Sequence, residues 1–186
     1  MAAARRVALT GTIAAVKTVV LGPPPPALEE LLEQRGARGA DLFDELWEGV
    51  LHVAPAPGAA HGIVAEELAG ALRDAARRAG LRGSGPFNLG SADDYRVPGG
   101  GYHGGTPSDV WVPTARIVVE VLSPDDETFQ KFDFYFARGV EELAVADPVS
   151  RTLRWWARGR PGFEPVAASA LLGVGVGEVA ARIDWP

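Results

Sequence analysis

Residues 117–127 read IVVEVLSPDDE, an apolar run that contains one acid and is followed by the start of a helix. The first six of these residues are typical of a β-strand that is buried on both faces. An ionised carboxylate in such a strand is too costly to bury alone, so Glu120 needs a metal ion, a basic side chain or strong hydrogen-bond donors as its partner. Glu120 is therefore the first candidate site residue.

The residues after this strand predict a helix over 124–138. Ser123 suits the N-cap, Pro124 suits the first helical position, and acids fill the first turn. Lys131 lies on this helix. Because a lysine side chain points back towards the N-terminus of its helix, Lys131 can reach the middle of the preceding strand if the helix folds over it. We predict that Glu120 and Lys131 pair, either as a buried structural ion pair or within a functional site.

The composition predicts one soluble globular domain. The chain has 186 residues, of which 47% are hydrophobic and 23% are charged, and its mean hydropathy is +0.04. A hydrophobic core of ordinary size fits this length. The chain contains no cysteine, which excludes zinc-ribbon and cysteine-nucleophile chemistry. The lack of disulfides is compatible with a cytoplasmic location, which is the one we expect.

The charge of the chain limits how it could bind nucleic acid. The formal net charge is −6 and the sequence pI is about 5.1, which argues against strong binding that ignores base sequence. A local basic patch is still compatible with these values. Four arginines recur at helical spacing and form either such a patch or a solvated helix face. They are Arg73, Arg77, Arg78 and Arg82.

Residues 1–26 differ from the rest of the chain. Arg5-Arg6 and the apolar stretch after them superficially resemble a secretory signal, but Lys17 interrupts the stretch and Gly22 with four prolines replaces the cleavage site. The stretch is also too short and too polar for a membrane helix, and we expect no membrane partner. We expect residues 1–26 to be a poorly ordered N-terminal extension, or sequence read from a start codon assigned too early. Residues 27–186 are expected to form the single domain.

Helical and strand patterns are mixed along this domain. Apolar spacing predicts a short helix over 27–34 and a long core helix over 61–79. Strands are predicted at 46–53, with a hairpin turn near Glu48–Gly49, and at 81–89, 94–98, 115–122, 142–146, 151–157 and 163–166. Residues 99–107 contain five glycines and are predicted to be a loop. The pattern indicates an α/β (α+β) fold, in which a mixed β-sheet is flanked by helices.

Several short motifs occur in an order that resembles a known family. Downstream these are Glu-x-x-Ser-Pro at 120–124, Lys131, Tyr135, Gly139-Val140 and Asp147-Pro148. Upstream they are WEGVL at 47–51, PAP at 55–57, His61 and YRVP at 95–98. Together they cover about residues 27–156 and resemble the Uma-two (Uma2) family of restriction-endonuclease-like proteins in the PD-(D/E)XK nuclease superfamily. A set of motifs in order is more specific than any one of them.

This resemblance implies a restriction-endonuclease-like core that hydrolyses DNA phosphodiester bonds with Mg²⁺ or Mn²⁺, and a homodimer would suit it. It gives Glu120 the role of metal ligand and Lys131, on the following helix, the role of orienting water or phosphate. Glu48 matches an upstream acidic position, and His61 matches a histidine at the start of the long helix. Such chemistry needs carboxylates to hold a hard cation and a lysine to stabilise the developing charge. Glu48 can also be an exposed hairpin acid, and His61 a locally satisfied helix residue.

The chain departs from the family pattern at one position. The resemblance implies that an Asp follows Pro98 and binds the metal, but Gly99 stands there. Either another carboxylate replaces it, or the protein is an impaired nuclease or a catalytically inactive binding or regulatory protein of the same fold. The candidate substitutes are Asp93, Asp94 and Asp109. We prefer Asp109 as the second metal ligand beside Glu120, because it follows the flexible glycine-rich loop.

Overall fold

The computed structural model describes residues 18–20, 23–123 and 127–186. Within these ranges the helices are α1 (Pro26–Ala37), α2 (Ala59–Arg78), a 3-10 helix (Thr128–Lys131), α3 (Phe132–Ala137) and α4 (Val176–Ala180). No helix among the described residues combines the length and the apolar character needed to span a membrane.

The strands of the described residues form two larger sheets and one small one. The first sheet contains β1 (Thr18–Val20), β2 (Glu45–Trp47), β3 (Val50–Val53), β5 (Asn88–Ser91), β6 (Asp94–Arg96) and β8 (Trp111–Val112). The second contains β4 (Arg82–Ser84), β7 (Gly100–His103), β9 (Ile117–Val121), β10 (Glu142–Asp147), β11 (Thr152–Arg158) and β12 (Phe163–Val166). Strands β13 (Ala168–Ser169) and β14 (Val174–Gly175) pair with each other.

Both larger sheets are mixed. The order in the first sheet is β1-β3-β2-β6-β5-β8. Among the described strands of this sheet, only β5 and β8 form a parallel pair. The order in the second is β12-β11-β10-β9-β7-β4, with β9 and β10 parallel and joined by the 3-10 helix and α3. The predicted mixed sheet flanked by helices is thus confirmed, although its strands are divided between separate sheets.

The alternation of side chains along β9 determines where Glu120 points. Ile117, Val119 and Val121 pack in the core cluster that includes α2. Val118 packs in a second cluster with Tyr135 of α3. Since successive strand residues face opposite sides, Glu120 shares the face of Val118 and is directed towards α3.

The predicted loop at 99–107 is wrong in its first half, because residues 100–103 form the buried strand β7. The glycines that suggested a loop are needed for close packing of this strand. A Cβ on Gly100 would lie 2.9 Å from the carbonyl oxygen of Ser84, and one on Gly101 would lie 2.7 Å from the ring of Phe87. Glycine within a strand often marks such a close approach.

Two other predicted segments can be compared in part. Of the helix expected over 124–138, residues 128–137 are a 3-10 helix followed by α3, and residues 124–126 lie outside the described residues. Of the expected N-terminal extension, residues 18–20 form β1, which pairs antiparallel with β3. Residues 1–17 and 21–22 lie outside the described ranges.

Candidate active site

The structure brings Glu120 and Lys131 together. Glu120 is 5% exposed at the centre of β9, and Lys131 is 9% exposed at the end of the 3-10 helix. The Lys131 Nζ atom lies 3.5 Å from Glu120 Oε1. The connection after β9 therefore folds back over the strand, as the prediction of this pair required.

Glu45 is a second buried acid at the same lysine, and we did not predict it. The Lys131 Nζ atom donates a hydrogen bond to Glu45 Oε1 at 2.7 Å, across 86 positions of sequence. Glu45 is held by two further donors, the backbone N–H of Val97 at 2.8 Å and Trp47 Nε1 at 2.7 Å. Two carboxylates thus share one ammonium group in a buried setting. The sequence signal for Glu45 was weak, since it is an acid in a three-residue strand.

Glu120 is further held by donors from two other elements. The hydroxyl of Tyr135 donates to Glu120 Oε1 at 2.5 Å, and the backbone N–H of Gly99 donates to Oε2 at 3.2 Å. Tyr135 is fully buried, and burial together with the charges of Glu120 and Glu45 raises the pKa of its phenol well above the usual value. The phenol is therefore a hydrogen-bond donor to Glu120 throughout the neutral range.

The tyrosines are expected to resist ionisation while the protein is folded. Burial raises the pKa of Tyr102 to about 12, and burial with nearby acids raises the pKa of Tyr95 and Tyr135. Because the folded state holds these protons more tightly, this contribution to stability is complete below the unfolded pKa of about 10 and is lost as the pH rises above it. A titration that follows phenolate absorbance and circular dichroism together should show both changing in the same alkaline transition.

Tyr135→Phe is the matched variant for this titration, because it keeps the ring and removes the hydroxyl. It should lose less free energy of unfolding than the wild type as the pH rises above about 10. Ionisation of all three tyrosines near pH 10, with the circular dichroism spectrum unchanged, would contradict this prediction.

Glu120, Glu45 and Lys131 line a cavity of about 420 Å³. His61, in the first turn of α2, also lines it, and its Nδ1 atom lies 3.2 Å from Ser123 Oγ. His52 lines the same cavity, stacks on Trp47 with ring centroids 4.2 Å apart, and lies 3.3 Å from Glu127 Oε2. The buried ion-pair cluster is therefore accessible from a space that can accept a ligand.

The other predicted site acids lie elsewhere. Glu48 is exposed in the β2–β3 hairpin turn with φ +49°, and Asp109 is exposed in the 104–110 segment. Neither is among the described residues that line the cavity. Asp94 pairs with Arg96 at 2.9 Å and with Arg138 at 3.2 Å. Burial raises the pKa of Asp94, but the N–H of Glu48 and the two arginines outweigh it and hold that pKa below its usual value.

Gly99 occupies the position from which a further carboxylate would reach Glu120. Its N–H contacts the Glu120 side chain directly, and its neighbours in β7 pair with β9. A Cβ at Gly99 would meet its nearest atom, the carbonyl oxygen of Val119, at 3.4 Å, which is an ordinary contact. The backbone at position 99 therefore accommodates a Cβ without a clash.

The residues present fit a hard cation in type but are few. Mg²⁺ is commonly held by one or two carboxylates together with water and substrate phosphate oxygens. Glu120 and Glu45 could supply two. Among the described residues there is no group of three or more acids or histidines placed to hold a metal ion. The described residues thus offer two carboxylates, which is the number with which Mg²⁺ is commonly bound when water and substrate complete its ligands.

Glu142 shows that a buried glutamate alone is not a site. It is 2% exposed on β10, the strand beside β9. Its carboxylate accepts hydrogen bonds from Trp155 Nε1 at 2.9 Å, Ser169 Oγ at 2.5 Å and the N–H of Leu171 at 3.0 Å. These contacts attach the C-terminal segment to the sheet. Glu120 differs in having a lysine partner and a cavity beside it.

Comparison with known proteins identifies a family and a fold for this chain. The model of the Uma2 family, described as "Putative restriction endonuclease", matches residues 28–172. A crystal structure described as "a putative nuclease belonging to DUF820 from Anabaena variabilis" superposes with a TM-score of 0.62 at 14% identity. The alignment covers 75% of this chain and 90% of that one, and at this identity it shows a shared fold. No curated protein matches the chain. The family match spans most of the sequence, and the chain belongs to the Uma2 family.

Proposed function

We propose that this protein is a metal-dependent endonuclease that hydrolyses DNA phosphodiester bonds and is impaired by glycine at position 99. The observation that carries the proposal is the buried cluster of Glu120, Lys131 and Glu45 at the wall of the 420 Å³ cavity. Family membership and the shared fold support the same reaction class.

Lys131 is the residue to which we assign charge stabilisation. Its ammonium is held by Glu45 at 2.7 Å and lines the cavity, so it is positioned before a substrate binds. A phosphate in the cavity gains negative charge on its oxygens as water attacks. A preorganised ammonium stabilises that charge more than mobile water does, because it needs no reorganisation during the reaction.

Glu120, with Glu45 beside it, would hold Mg²⁺ or Mn²⁺. Such an ion supplies charge neutralisation at the phosphate and acidifies a bound water. Tyr135 and Gly99 orient the Glu120 carboxylate by hydrogen bonds at 2.5 and 3.2 Å. The protein thus fixes the direction of Glu120 through two donors, of which Tyr135 is fully buried and Gly99 lines the cavity.

His61 is our candidate for proton transfer to the leaving oxygen. It lines the cavity, and its Nδ1 atom lies within hydrogen-bond distance of Ser123 Oγ. Histidine is the side chain that changes charge near neutral pH and so suits general acid–base catalysis.

The proposed cellular location of the protein is the cytoplasm. That the protein forms a homodimer stays a prediction.

The second candidate is a catalytically inactive DNA-binding or regulatory protein of the same fold. The observation that favours it is the glycine at position 99, together with the lack of a third acid near Glu120 among the described residues. In this case Glu120, Lys131 and Glu45 are a structural ion-pair cluster, and no cation is needed.

Conversion of supercoiled plasmid DNA to nicked and linear forms separates these candidates. For the endonuclease we expect cleavage with Mg²⁺ or Mn²⁺ at least about tenfold above the level in EDTA, because the charge developing at phosphate is then stabilised. Glu142→Gln is the matched control, since it alters a buried glutamate outside the cavity and should retain cleavage. Cleavage by the wild type at the EDTA level with every metal would refute the endonuclease and favour the binding protein.

A further inference from the structure

A groove of about 830 Å³ runs between α2 and the edge strand β4. One face of α2 forms the first wall, with lining residues spaced three or four positions apart from Gly62 to Gly80. The segment Arg82–Pro86 forms the second wall, and Gly99–Tyr102 lie between the two. The groove thus lies beside the candidate active site, whose cavity is also lined by residues of α2, by Pro86 and by Gly99.

Three arginines give this groove a local excess of positive charge. Arg73, Arg77 and Arg82 line it and are exposed, and none of them forms an ion pair with a described residue. Glu66 is the one acidic side chain among the described residues of the lining. The chain as a whole has a net charge of −6. This groove is locally positive instead, because three guanidinium groups line it without an ion-pair partner among the described residues.

The groove adjoins the active-site cavity. Gly62, Ala65, Pro86 and Gly99 line both spaces. At 1.5 Å of rise per residue, Arg73 and Arg77 lie about 16 and 22 Å from Gly62 along the helix axis. One DNA strand advances 3.4 Å per step, so these distances correspond to roughly five to seven base pairs.

We propose that the groove binds the sugar-phosphate backbone of DNA on one side of the cavity, through Arg73, Arg77 and Arg82. That the phosphate in the cavity is the one to be cleaved rests on the proposed endonuclease function. Binding of DNA in the groove does not depend on that function. Guanidinium groups suit this role because they donate pairs of hydrogen bonds to phosphate oxygens and stay charged. Arg78, adjacent to Arg77 on α2, is not part of the described lining.

The test is fluorescence anisotropy in EDTA with a labelled duplex of about 20 base pairs, which at 3.4 Å per step exceeds the length of the groove. Arg77→Gln and Arg82→Gln should each weaken binding roughly three- to tenfold and lower the dependence of log Kd on log salt by about one. Arg78→Gln is the matched control: it removes the same charge from the next residue and should leave Kd unchanged. Glu66→Gln should tighten binding, because it removes the one acid of the lining.

Equal Kd values for Arg77→Gln and Arg78→Gln would overturn the proposal, as would a wild type that binds no DNA. Tighter binding of an RNA duplex of the same sequence would overturn the choice of DNA. The two proposals fail separately. Weaker binding by the Arg77 variant without metal-dependent cleavage would support the groove and refute the endonuclease. Metal-dependent cleavage together with equal Kd values for Arg77→Gln and Arg78→Gln would support the endonuclease and refute the groove.

Discussion

Lys131→Met should abolish metal-stimulated cleavage and lower the free energy of unfolding by about 3–5 kcal/mol. Methionine has nearly the length of lysine but no charge. It would leave the carboxylates of Glu120 and Glu45, which now lie 3.5 and 2.7 Å from the lysine nitrogen, without their shared cation. Removing one partner of a buried ion pair is costly because the remaining charge is uncompensated. Urea denaturation and the plasmid assay measure the two effects.

A second variant tests whether Lys131 acts only in folding. Lys131→Met combined with Glu45→Gln removes the ammonium and one of the acids that it neutralises. We expect this double variant to recover much of the free energy of unfolding but none of the cleavage. Recovery of cleavage together with stability would show that Lys131 acts only in folding, and would contradict its assignment to the phosphate. Lys131 is the only lysine among the described residues, so none of these supplies a second ammonium group.

Gly99→Asp is expected to add a third carboxylate to the site that already contains Glu120 and Glu45. The backbone N–H of residue 99 already contacts Glu120 Oε2, and a Cβ at this position meets nothing closer than 3.4 Å. This further carboxylate beside Glu120 adds a ligand and a charge for a divalent cation. We expect Mn²⁺ affinity and the rate of metal-dependent cleavage each to rise on the order of 100-fold, the scale on which ligand surroundings alter metal sites.

The stability of this variant gives a readout that does not depend on cleavage. Without metal, two adjacent carboxylates repel each other, and Gly99→Asp should unfold at a lower temperature than the wild type. Saturating Mn²⁺ should then raise its Tm by more than that of the wild type, since a ligand stabilises the state that binds it. Gly99→Asn is the matched control with the same size and no charge. Equal Mn²⁺-induced shifts for the Asp and Asn variants would refute the assignment of this position to the metal site.

Local patterns of apolar residues were sufficient to predict two of the elements that carry the site. The 3.6-residue spacing of apolar residues predicted the long helix, and α2 spans Ala59–Arg78. The apolar run around Glu120 predicted a buried strand, and every residue of β9 is buried. The glycines at 99–107 led to the wrong prediction of a loop, because two of them are needed for close packing within a strand. Strand β7 passes so close to Ser84 and Phe87 that side chains would not fit at Gly100 and Gly101. Close packing between distant segments leaves no local pattern in the sequence.

The sequence by itself determined that Glu120 needs a partner, because the cost of burying a lone carboxylate follows from local hydrophobicity alone. It also determined that Lys131 is near enough along the chain to be that partner. Only the tertiary structure decided that Glu45, and not Glu48 or Asp109, is the second acid at this lysine. The first sheet brings Glu45 to Lys131 across 86 positions, and such a contact depends on how two sheets meet. The residue spacing within each segment therefore does not predict the contact between Glu45 and Lys131.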